Sequence, residues 1–220
     1  MNILIIGFTT EGSTDVRFLE SIIRRTFEDV ACECEGDIEI YGVQHIPVER
    51  NTFTDEVLRA AQAAENSGVM VLCVHADADD DTDANVVLTK IKPALTLVDQ
   101  HVEGLCKNLV AIVPVRMTEA WMLADKELLK QEIGTHKNYQ ELGLARRPET
   151  IADPKEVIKN AIRIAFEDST RRRRNRSLDI SELYLKMGQQ LSLEKLALLP
   201  SYVKFRDAVR EAFVKLNYLH

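Results

Sequence analysis

No Cys-x-x-Cys pair, no phosphate-binding glycine loop and no long apolar run occur in this sequence. The four cysteines are Cys32, Cys34, Cys73 and Cys106. Without paired spacing they argue against a zinc site and for reduced thiols in a cytoplasmic protein. Nothing reads Gly-x-x-x-x-Gly-Lys-Ser/Thr, so any ATP involved must be bound by another chain. No stretch approaches the ~20 apolar residues of a membrane helix, which argues against a membrane partner. The N-terminus runs into a strand with no basic region before it, unlike a signal peptide. Basic residues are the minority, 28 Lys and Arg against 35 Asp and Glu. The formal charge of -7 argues against a wholly electrostatic nucleic-acid binder, though a local basic surface fits within it. Internal repeats are absent.

The 220 residues, 45% of them apolar, suffice for one domain or a core with a small appendage. The chain is organised around Val69-Met-Val-Leu-Cys-Val-His-Ala-Asp-Ala-Asp-Asp-Asp81. An unbroken, β-branched apolar run follows Ser67-Gly68 and reads as a strand buried on both faces of a parallel sheet. It ends in Asp77, Asp79, Asp80 and Asp81. In open α/β sheets, ligands sit beyond the carboxyl ends of the strands. Crowded carboxylates repel one another unless a cation joins them, and oxygen-only ligands suit Mg²⁺ or Mn²⁺. The plainer alternative is a solvated acidic loop. An EF-hand is excluded: Thr82 and Leu88 stand where its loop requires Gly and Glu.

Other apolar runs predict strands over 3–6, 38–43 and 109–115. Helical periodicity predicts helices over 15–27, with Thr14 as cap and Val16, Leu19, Ile22, Ile23 and Phe27 on one face, and over 54–65. A third helix spans 83–105, kinked or split at Pro93. A fourth runs from Glu119 to about Glu132. Strand and helix thus alternate four times, which implies a mostly parallel α/β sheet of about four strands flanked by helices. From Gly134 to Thr150 the pattern dissolves. We place a boundary there: an α/β domain over 1–133 and an α-helical C-terminal extension over 134–220. Asp153-Pro-Lys-Glu156 is a strong helix start, and the last helix, from Tyr202 to Leu216, buries Phe205, Val209 and Phe213.

The first strand also leads to a carboxylate, Glu11, in Glu11-Gly-Ser-Thr-Asp15. If strands one and three lie side by side, Glu11 converges with Asp77 and Asp79. Gly12 would allow a tight turn, and the following helix N-terminus favours a phosphate. Two metal-binding acids with a third nearby are what phosphoryl transfer needs. Arg116 and Glu119, after the fourth strand, add a phosphate contact and a further ligand. His75 reads either as a contact behind the acids, or a general acid, or as a satisfied buried histidine. Trp121 reads as core. The arginine run, Arg171, Arg172, Arg173, Arg174 and Arg176, suits a nucleic-acid backbone but carries no base specificity. A solvated loop or a dock for an acidic protein are its other readings.

These motifs resemble a known family. A Glu-Gly-x-Thr-Asp/Glu turn after the first strand, with Asp-x-Asp after a later one, is similar to the Toprim domain of topoisomerases, primases and OLD-type (overcoming lysogenisation defect) nucleases. Pro114-Val-Arg-Met-Thr-Glu-Ala-Trp-Met-Leu-Ala-Asp125 resembles a segment of small bacterial Toprim-like proteins, many known only as a domain of unknown function. Asp153-Pro-Lys155 and Leu199-Pro-Ser-Tyr-x-x-Phe205 extend the likeness over most of the chain. Genes of that group often neighbour an ABC/RecF-like ATPase, some in phage-defence loci. The resemblance implies that Glu11 is a general acid/base or metal ligand and that Asp77 and Asp79 bind metal. Glu119 matches a later acidic position. The lysine that OLD-type nucleases contribute has Lys90, Arg116 and Lys155 as candidates. The expected function is metal-dependent cleavage of DNA or RNA, with a separately encoded ATPase as partner and a homodimer left open. Two alternatives stand beside it: a non-catalytic metal- or nucleic-acid-binding subunit of an ATPase complex, and another nucleotidyl- or phosphoryl-transfer enzyme.

Overall fold

The computed structural model describes residues 2–49, 51–101, 103–167 and 178–219. Four strands, β1 (Asn2–Thr9), β2 (Ile38–His45), β3 (Val71–His75) and β4 (Leu109–Ile112), form one sheet in the order β2-β1-β3-β4. Every pairing is parallel, as strands joined through helices require. All five residues of β3 are buried. Val71 and Cys73 face one apolar cluster, Leu72 and Val74 the other, so period-2 alternation feeds two cores from one unbroken run.

Helix α1 (Ser13–Ala31) covers one face and turns Phe18, Leu19, Ile22, Ile23 and Phe27 inward. Phe18 takes the place expected of Val16, which is half-buried. The helix begins before Thr14; Gly12 is its cap residue and forms no side-chain cap bond. On the other face lie α2 (Phe53–Asn66) and α4 (Lys92–Gln100). Thr52 caps α2, accepting from the Asp55 amide at 3.3 Å.

Two long helices predicted from periodicity are broken. Residues Ala84–Val86 (α3) lead into a π-helical stretch, Val87–Ile91, which joins α4. Pro93 has no N–H and its ring crowds the carbonyl four residues back; the widened turn before it accommodates both. Helix α5 (Thr118–Met122) ends before α6 (Lys126–Ile133), because Asp125 caps the new helix through the Leu128 amide at 3.1 Å. Further along, α7 (Pro154–Phe166) starts at the Asp153 cap as its sequence requires. Helices α8 (Leu183–Gln190), α9 (Leu193–Leu196) and α10 (Pro200–Lys215) complete the helical C-terminal part. Helices α8 and α10 pack on α1, and α10 also lies against β4. No helix among the described residues is long and apolar enough to cross a membrane.

Candidate functional site

Strands β1 and β3 are neighbours, with Thr9 opposite Val74, so the segments that leave them emerge side by side. Glu11 follows β1 by two residues; Asp77 and Asp79 follow β3 by two and four. The parallel pairing continues past the strands. The Ala78 amide donates to the Pro114 carbonyl at 3.1 Å, the Asp79 amide to Arg116 at 2.9 Å, and the Arg116 amide to Asp80 at 3.1 Å. Asp79 and Arg116 both have left-handed backbones, with φ of 52° and 67°.

Each carboxylate meets a different environment. Glu11 accepts from the Lys90 ammonium at 3.0 Å, and the π-helical stretch carries that lysine. Of the three basic candidates, Lys90 therefore stands at Glu11 and Lys155 stands 3.2 Å from Glu119. Arg116 keeps a buried Nε without a hydrogen-bond partner. Asp77 Oδ1 accepts from the Thr118 amide at 2.9 Å, and the His75 Nε2 lies 3.2 Å away. Asp79 is exposed at the rim. Desolvation, then the charges of Asp77 and Glu11, raises its carboxyl above the ordinary range, and Lys90 offsets this in part.

His75 is fully buried. Burial alone would lower its proton affinity, but the hydrogen bond and charge of Asp77, with Asp15 and Glu11 beyond, raise it overall. Its Nδ1 has no partner. Glu119 is 4% exposed and takes a hydrogen bond from the buried Tyr184 hydroxyl besides its pairing with Lys155. These two bonds tie α5 to α7 and α8. Asp80 and Asp81 are exposed, and Asp80 Oδ1 accepts from the Asp81 amide. Trp121 is core: its Nε1 donates to Ser201 at 2.7 Å and its ring meets Tyr202 edge-on. The arginine run from Arg171 to Arg176 lies outside the described residues.

Two residues given no site role in the sequence reading belong here. Thr118 is fully buried between His75 and Asp77. Asp15 is 8% exposed. Burial raises its carboxyl most; His75 offsets that, Asp77 adds to it, a Thr118 hydrogen bond lowers it and Glu119 raises it again. Gly12 has an ordinary extended backbone, φ -122°, so no tight turn requires it. A Cβ there would stand 2.5 Å from Asp15 Oδ2; the glycine makes room for that carboxylate. The only sequence signal for Asp15 was its place at the end of the Glu11-to-Asp15 motif.

Neither a curated protein nor a solved structure matches this chain. A family model described as "Domain of unknown function (DUF4276)" matches residues 10–196. The matched span takes in Glu11, Asp77, Asp79 and Glu119 and runs to the end of α9. On that coverage, the chain belongs to the DUF4276 family.

Proposed function

We propose that this protein is a Mg²⁺- or Mn²⁺-dependent nuclease of Toprim type, hydrolysing phosphodiester bonds at the carboxyl ends of β1 and β3. One observation carries the reading: Glu11, Asp77 and Asp79 leave two adjacent parallel strands at the edge where such sheets bind ligands. The donor set is carboxylate oxygen, which suits a hard divalent cation; the Asp79 carboxyl is raised first by desolvation and then by the neighbouring charges of Asp77 and Glu11. Among the described residues no three His, Cys, Asp or Glu side chains stand as a ready ligand set. In this reading Glu11, Asp77 and Asp79 would hold the ion, Glu11 being the one now paired with Lys90. The bound cation supplies polarisation of the phosphate and stabilisation of the leaving oxygen. Lys90 and Arg116 would offer their charge to the phosphate. The helix α1 N-terminus favours the same anion. Arg171, Arg172, Arg173, Arg174 and Arg176 serve as a salt-sensitive contact to a DNA or RNA backbone. A separately encoded ABC/RecF-like ATPase, a cytoplasmic setting and a phage-defence role complete the proposal.

Plasmid nicking in Mn²⁺, Mg²⁺ and EDTA, with Asp79→Ala alongside, tests it. Wild-type nicking in metal and a loss of about 100-fold or more in the variant is the expected outcome. Wild-type rates in Asp79→Ala would sink the assignment. A second reading, a non-catalytic metal- or nucleic-acid-binding subunit, draws on the engagement of Glu11 by Lys90 and of Asp77 by Thr118. Activity of a reconstituted ATPase complex that survives loss of both Glu11 and Asp79 would establish it.

A further inference from the structure

Asp77 differs from the other two carboxylates in how its oxygens are used. Oδ1 is crowded: the Thr118 amide lies at 2.9 Å, His75 Nε2 at 3.2 Å and the Thr118 hydroxyl at 3.4 Å. The Thr118 hydroxyl is also 3.1 Å from His75 Nε2, so three side chains close a triangle around one oxygen. Thr118 and His75 are buried, while the Asp77 side chain keeps partial access to solvent. Among the described residues Oδ2 accepts no hydrogen bond. One oxygen is thus saturated from behind, and the other is left for the site.

The three residues come from different places. His75 ends β3, Asp77 follows in the loop, and Thr118 opens α5 after the left-handed turn at Arg116. That turn is itself locked to Asp79 and Asp80 by backbone bonds, so Thr118 is carried to Asp77 by the same register that sets Asp79.

We infer that His75 and Thr118 form a buried clamp that fixes the rotamer of Asp77 and presents its Oδ2 to a divalent cation. Both are positioning residues. The inference rests on the metal-dependent reading above. Its physical basis is that a ligand held in place before the ion arrives loses no rotamer freedom on binding, and that outer partners of metal-binding carboxylates typically govern affinity about 10- to 100-fold.

Two measurements test it. The first uses metal-free protein: amide hydrogen exchange at Thr118 in wild type and Asp77→Ala. The clamp requires a protected Thr118 amide that exchanges about 10-fold or more faster in the variant; equal exchange overturns the geometry. The second is Mn²⁺ affinity by calorimetry for wild type, Thr118→Val, Thr118→Ala and Thr118→Ser. The expected result is about 10-fold weaker binding in Val and Ala and near wild-type binding in Ser, which restores the hydroxyl. Melting temperatures of the four metal-free proteins separate this from lost stability. Wild-type affinity in whichever of Val and Ala folds overturns the positioning role and leaves the nuclease reading standing. A Thr118 amide that depends on Asp77, in a wild-type protein that binds no Mn²⁺, sinks the metal reading instead and reduces the clamp to a fixture of the fold, overturning its positioning role by a different readout.

Discussion

At the scale of single residues, strain collects beside the carboxylates. Asp79 and Arg116 both hold positive φ, which costs a non-glycine residue on the order of 1–3 kcal/mol. Their backbones are bonded to each other and to Asp80, so the surrounding ladder holds what neither side chain would choose. Arg116→Gly should therefore keep the turn and melt no lower than wild type, because glycine accepts that φ. Arg116→Val should lose about 1–3 kcal/mol, since a β-branched side chain is a true outlier there. Thermal melting of the two variants checks this, and a Val variant as stable as the Gly variant would contradict it. Glu11, Asp77 and Asp79 were legible as site candidates because the end of an apolar strand marks a place in space. The grouping of Thr118 with His75 and Asp77 was not. Thr118 is 41 residues from Asp77, and only the loop pairing after β4 brings it there.

At the scale of elements, periodicity located the helices but not their interruptions. A π-turn before Pro93 and an internal cap at Asp125 rest on backbone and capping bonds that a hydrophobic pattern does not carry. Lys90 reaches Glu11 from that π-turn. Packing between α1 and α8 was equally hidden. Gly188 sits so close to α1 that a Cβ would lie 2.6 Å from the Phe18 carbonyl oxygen and 3.1 Å from its Cα. The neighbour is backbone, which cannot swing aside. Gly188→Ala gains about 0.5–1 kcal/mol of helix propensity, yet the overlap should cost about 2–4 kcal/mol net, an overpacking penalty at a main-chain contact. For a chain of this size that is a fall in melting temperature of roughly 5–15 °C. A variant that melts at or above wild type would show that the two helices are free to separate.

At the scale of the whole molecule, alternation of strands and helices made the parallel sheet legible. The same reading allowed β1 and β3 to lie side by side without requiring it, and the structure has them adjacent. What lies over that sheet is less local. One apolar cluster takes in Leu4, Phe18, Ile22 and Trp121 together with Tyr184, Tyr202, Phe205 and Phe213. Polar ties cross the same boundary: the Thr26 and Tyr202 hydroxyls meet at 3.0 Å, Arg25 donates to the Gly188 carbonyl at 3.1 Å, and Lys204 pairs with Asp83 at 2.6 Å. A fragment of residues 1–133 would uncover Phe18, Phe27 and Trp121, which meet Gly188, Phe213 and the Tyr202–Phe205 pair. Each large apolar side chain exposed forfeits about 1.5–3 kcal/mol, so three of them take a large share of the ~5–15 kcal/mol stability of an ordinary protein. The fragment should therefore lack fixed tertiary structure, with dispersed amide and methyl signals returning only when residues 134–220 are supplied. In the full chain, Trp121 fluorescence and far-ultraviolet dichroism should lose signal at one temperature, since Trp121 lies inside the shared core. A 1–133 fragment with native dispersion on its own would mean that the sheet and α1 need no cover from α8 and α10, and that the carboxylate site could stand without them.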